Sequence, residues 1–156
     1  LELFPSGREG AGETNLLQVM DLTLTPMGGR LLRRWMAFPL QDLEQIQGRT
    51  QAVSAFLLDQ DLRHDLRQSL RACGDLERLV SKVSLRKINP REVLHLARTL
   101  VTTATIKEKI SASQAALLAH LCALLDPLTP LQNRILHTLE DEPALALNKG
   151  KSPLWL

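Results

Sequence analysis

Apolar residues recur along this chain at steps of three and four, the period of a helix rather than of a strand. The sharpest stripe is Leu31, Leu32, Trp35 and Met36, which places a helix from Pro26 to about Ala37. Thr25 suits its N-cap, and Pro26 suits the first helical position, where a missing N–H costs nothing. Gly28 extends the stripe one turn earlier, while Arg30, Arg33 and Arg34 share the opposite face. Two glycines in a first turn each cost about 1 kcal/mol against alanine. The pattern therefore predicts a helix sunk into a helical body, with another segment coming close at Gly28 and Gly29.

The rest of the chain reads the same way. Leu1 to Phe4 fits one short strand, a loop rich in glycine follows over 5–12, and a short helix is expected from Thr14 to about Asp21. Asp42 with Gln45 opens a helix that carries Leu43, Ile46, Val53, Phe56 and Leu57 to about Leu58. Asp61 is the expected cap of the next, with Leu62, Leu66 and Leu70 on one row and Arg63, Arg67 and Arg71 beside it. Asp75 opens a helix with Leu76, Leu79, Val80 and Val83 inward. Asn89-Pro90-Arg91-Glu92 is the cleanest start, with Asn at the cap, Pro at N1 and Glu at N3, and its helix reaches about Ile110. Ser113 and Thr129 are the expected caps of two more helices, ending near Leu125 and Glu140. No period is visible beyond Pro143. The fold expected is all-α, a multi-helical, bundle-like core with short connections over 1–141, followed by a tail over 142–156.

Composition sharpens this picture. Of the 156 residues 44% are hydrophobic but only 3% aromatic, with no tyrosine, so the core must be built from Leu, Val, Ile and Ala. That favours helix on helix over a sheet, and it removes the stacking platform that single-stranded nucleic acid requires. The net charge of +2 is too small to indicate nucleic acid by itself. Cys73 and Cys122 lie far apart and form no motif, so reduced thiols are expected. The longest apolar stretch, near 115–125, falls short of the ~20 residues of a membrane span.

Chemistry is sparse. His64, His95, His120 and His137 have no partner at a metal-binding spacing, and the carboxylates Asp42, Asp61, Asp75 and Glu92 are explained as helix caps. Gly150-Lys151-Ser152 imitates the end of a phosphate-binding loop, but Leu145 stands where the motif needs glycine and Pro153 follows at once. The two arginine rows, Arg30/Arg33/Arg34 and Arg63/Arg67/Arg71, suit phosphate contact, so an independent basic module binding duplex DNA is the alternative reading.

The run from Thr25 to Trp35, Thr-Pro-Met-Gly-Gly-Arg-Leu-Leu-Arg-Arg-Trp, resembles the core-domain signature of the MutS family of DNA mismatch repair proteins, bacterial type. Leu1-Glu2-Leu3, Asn15 to Asp21, Phe38-Pro39-Leu40, Arg49 to Val53, Asp75-Leu76-Glu77-Arg78-Leu79 and Asn89-Pro90-Arg91 resemble neighbouring stretches of that family, to about Gly150 in all. The resemblance implies one domain of a long, dimeric, cytoplasmic, DNA-binding ATPase. In that family one domain wedges into the mismatch, a clamp grips the duplex, and another domain uses ATP and magnesium. The helical core, also called the lever or connector, joins them and relays nucleotide state to the clamp. The chain carries no Walker motif and no wedge segment, so neither catalysis nor a cofactor is expected of it. By the resemblance it is expected to end where the clamp would begin and to lack a return segment that completes the core in the family, which would leave an apolar helix face uncovered. The resemblance makes Thr25, Pro26, Gly28, Gly29, Arg30 and Trp35 structural signature residues. It makes Arg33 and Arg34 candidates for contact with DNA or another domain.

Overall fold

Most helix starts among the described residues are set by short side chains that turn back onto backbone N–H groups. The computed structural model describes residues 2–4 and 15–141. Among these, eight α-helices follow one another: α1 (Leu16–Met20), α2 (Pro26–Ala37), α3 (Leu43–Leu58), α4 (Gln60–Ala72), α5 (Leu76–Ser84), α6 (Pro90–Ser111), α7 (Ala116–Leu124) and α8 (Thr129–Thr138). Thr25 accepts from the Gly28 N–H at 3.0 Å, Asp42 from Gln45 at 2.8 Å and Asp75 from Arg78 at 3.2 Å. Asn15 with Gln18, and Asn89 with Glu92, form reciprocal capping boxes. Arg86, in the left-handed region at φ 53°, closes α5, with the Lys87 N–H reaching Lys82 and the Arg86 N–H reaching Val83.

Three of the expected starts are corrected. Asp59, not Asp61, caps α4, accepting from the Leu62 N–H at 2.8 Å, because it also closes α3 and leaves no linker between them. Ser113 accepts from the Ala115 N–H at 3.3 Å in a local turn, and α7 begins beyond it. Leu128, at φ 51°, precedes α8 in place of Thr129, which lies inside the helix. That turn is held by buried Gln132, whose amide donates to the Pro127 carbonyl at 2.7 Å. The short strand expected at the start is corrected too. Within the described residues 2–4, the Glu2 and Leu3 carbonyls accept from Leu16 and Leu17, so they satisfy the open end of α1 rather than a ladder. The tail 142–156, with the false phosphate loop, lies outside the described residues.

The core is organised around α6, a rod of 22 residues. It packs against α4, α5, α7 and α8, while α3 packs on α4 and α7. Leu94, Ala97, Leu100 and Ile110 of α6 are buried, joined by Leu79, Ala52 and Leu118 from α5, α3 and α7. Thr99 and Thr103 are buried as well, their hydroxyls bonded to the carbonyls one turn back. The helix of the arginine-rich signature is elsewhere. No residue of α2 is buried, and α2 belongs to none of the closely packed helix pairs. The expectation of a sunken helix is therefore corrected: its spacing made an amphipathic stripe, but the interior is filled from α3 to α8.

Candidate interdomain interface

Because α2 lies outside the core, its side chains define a surface. Leu31, Trp35 and Phe38 are 46%, 40% and 76% exposed while Leu32 and Met36 are half-buried, so the apolar stripe is only partly covered. Gly28 and Gly29 sit against the chain that leads into the helix. A Cβ at Gly28 would lie 3.2 Å from the Thr23 Cβ and from the Thr25 hydroxyl, and one at Gly29 would lie 3.3 Å from an Asp21 carboxylate oxygen. The close neighbour is thus the preceding loop, drawn in by Asp21, which accepts from the Thr23 N–H and hydroxyl at 3.0 and 2.6 Å.

The arginines of α2 part company. Arg30 makes a two-pronged contact with Asp75, at 2.7 and 3.0 Å, and a second with Glu77, at 2.5 and 2.8 Å. Asp75 and Glu77 stand at the start of α5, where the helix end already favours negative charge but leaves an arginine room to bridge. Arg33 lies over the Phe4 ring at 5.3 Å, and Arg34 is exposed in the last turn. Trp35 carries the Arg49 guanidinium of α3 over its ring, at 3.6 Å. The signature residues are therefore gathered on one helix, but its cations do not form one phosphate-facing row. On α4, Arg67 and Arg71 are exposed and Arg63 is half-buried.

Elsewhere the described residues offer little reactive chemistry. No group of three or more His, Cys, Asp or Glu among them is placed to hold a metal ion. Cys73 and Cys122 are free, and burial pushes the Cys73 thiol up. An open groove of about 650 Å³ between α3 and the start of α7 is lined by Gln47, Thr50, Gln51, Ser54 and Gln114, neutral groups that cannot carry acid–base work. No helix among the described residues is long and apolar enough to cross a membrane.

A family model described as MutS domain III matches residues 1–154. The chain belongs to the MutS domain III family. It is 40% identical to the DNA mismatch repair protein MutS of Symbiobacterium thermophilum, over 96% of this chain and 17% of that protein. The MutS proteins of Bacteroides thetaiotaomicron and Bacillus thuringiensis are each 37% identical over the same shares. This domain III chain therefore spans about a sixth of the length of the curated relatives it matches.

Within this MutS domain, sequence reasoning missed what Arg30 binds. Asp75 and Glu77 stood in a stretch that resembled the family, yet a cap explained the first and nothing singled out the second. It also missed Gly74, buried just before Asp75, whose N–H donates to the Thr99 hydroxyl of α6 at 3.1 Å. That bond fixes the start of α5 on the rod.

The ion pairs set a pH dependence. The Arg30 guanidinium holds the Asp75 carboxyl below its usual range, against some burial, with the Arg78 N–H helping. Lys109 does the same to Asp65, Lys82 and the Asn89 N–H to Glu92, and Thr23 to Asp21. A carboxyl depressed in the folded state stabilises fully above its unfolded value, and that contribution is lost as pH falls through the folded one. The urea midpoint of this MutS domain is therefore expected to stay level from pH 7 to about 5 and to drop below about pH 4. A midpoint unchanged at pH 3 would show that these contacts contribute nothing.

Proposed function

We propose that this chain is the non-catalytic connector of a MutS-type mismatch repair ATPase, relaying nucleotide state to the part that grips DNA. The observation that supports this most is α6: a rod of 22 residues, about 33 Å long, to which four other helices are fastened. A body built that way transmits displacement with little loss, since packed interiors shift as units rather than deform. Its partners under this reading are the remaining domains of the parent protein, mismatched DNA reached through them, and a second copy of the parent. ATP and magnesium belong to the ATPase domain, and the setting is the cytoplasm.

The test is Gly28→Leu in the full-length protein. The added side chain must displace Thr23 and Thr25 and so tilt α2 against the body. Basal nucleotide turnover is expected to hold, while its response to mismatched duplex falls roughly threefold to thirtyfold, the range in which substitutions along a coupling route act. Full retention of the mismatch response in a variant that is demonstrably displaced at α2 would overturn the reading.

A further inference from the structure

Residues 21–37 are tight within themselves and loosely joined to the rest of the described residues. Inside the segment, Asp21 ties Thr23, Thr25 caps the helix, and the loop lies so close to Gly28 and Gly29 that a methyl group on either would press on it. Outside it, no α2 residue is buried, Leu32 and Met36 are only half-buried, and α2 shares no close helix packing. Among the described residues, three contacts centred on cations join the segment to its surroundings: Arg30 to Asp75 and Glu77, Arg49 over Trp35, and Arg33 over Phe4. The far end of the first is rigid. Asp75 caps α5, its side chain is only 16% exposed, and Gly74 beside it is bonded to the rod.

We propose that residues 21–37 undock from and re-seat on the helical body as one unit, with the grip of Arg30 on Asp75 and Glu77 as its latch; once undocked, the 12 residues of α2 are only marginally helical in water, so its amides open together. An apolar interface would resist salt; a latch made from a half-exposed guanidinium and an exposed glutamate is screened by it. The arm also supplies the two-position element that a relay needs. This inference rests on the reading above only for its purpose; its test reads the chain alone, so the two can fail separately.

The experiment is amide hydrogen exchange on this chain in about 50 mM and about 500 mM sodium chloride. In higher salt the α2 amides are expected to exchange roughly threefold to fivefold faster, all turns together, while α6 amides do not change. Arg30→Gln exchanges fast in α2 at both salt concentrations. Glu77→Gln, which leaves the α5 cap and the core intact, gives an intermediate rate with a weaker salt response, and serves if Arg30→Gln does not fold. The latch is overturned if α2 exchange in the parent chain ignores salt, or if α2 and α6 accelerate together. The single opening unit is overturned if only the ends of α2 respond.

Discussion

A single methyl group at Gly74 is expected to destabilise this domain by about 3 kcal/mol, through overpacking and a weakened buried hydrogen bond. The Cβ of Gly74→Ala would lie 2.9 Å from the Thr99 hydroxyl oxygen and 2.9 Å from the His95 Cδ2, and nearer still to the His95 Nε2. His95 is exposed and can swing aside. Thr99 is wholly buried, and its hydroxyl is committed on both sides, donating to the His95 carbonyl at 2.8 Å and accepting from Gly74. The α4–α5 junction must therefore back away from α6 and lose that bond. The requirement is for space, since the backbone at Gly74 is not in the left-handed region. Gly48, in the middle of α3 with nothing within 4 Å of its would-be Cβ, is the control. Gly48→Ala is expected to stabilise by about 1 kcal/mol, from helix propensity alone. Urea denaturation of both variants checks the pair, and removing the obstructing hydroxyl with Thr99→Ala should recover part of the Gly74→Ala loss. Equal midpoints for Gly74→Ala and the parent would sink the claim.

Why Gly74 escaped the sequence while Thr25, Asp42, Asp75 and Asn89 did not is a matter of range. Each of those caps acts on an N–H three residues ahead, so the residue pair that makes the contact is visible in one glance at the chain. Gly74 meets Thr99, 25 positions on, and a glycine between two helices looks like any turn. Asp59 and Asp61 show the same boundary from the other side. Both are well spaced for the leucine row of α4, and only the immediate end of α3 decides for Asp59. The stripe on α2 marks the deeper gap. Spacing shows that Leu31, Leu32, Trp35 and Met36 share a face, but a covered face and a bare one have the same spacing. The resemblance to the family carried what periodicity could not: the eleven residues from Thr25 to Trp35 pointed to MutS, whereas local chemistry offered only the arginine rows and their reading as a DNA-binding module.

Leu94→Ala is expected to cost about 3 kcal/mol, within the usual span for emptying a leucine site in a core, while Trp35→Ala should cost about 1 kcal/mol, since a half-open site collapses or fills with water. The order reverses what residue size suggests, because a fully buried tryptophan is the more expensive to truncate. It follows from position. Leu94 is 3% exposed on the rod, with α6 gripped by four helices around it, so its loss leaves a void that no neighbour can enter. Trp35 is 40% exposed, on a helix with no buried residue, and its ring gains mainly from the Arg49 guanidinium above it. Denaturant midpoints measured side by side decide between two pictures of the signature helix. A Trp35→Ala cost equal to that of Leu94→Ala would mean that α2 is structurally part of the core, and a detachable arm would go with the surface picture. A small cost with an unchanged denaturant slope would mean that the most recognisable stretch of this chain contributes little to holding the domain together, leaving it free to serve what lies beyond it.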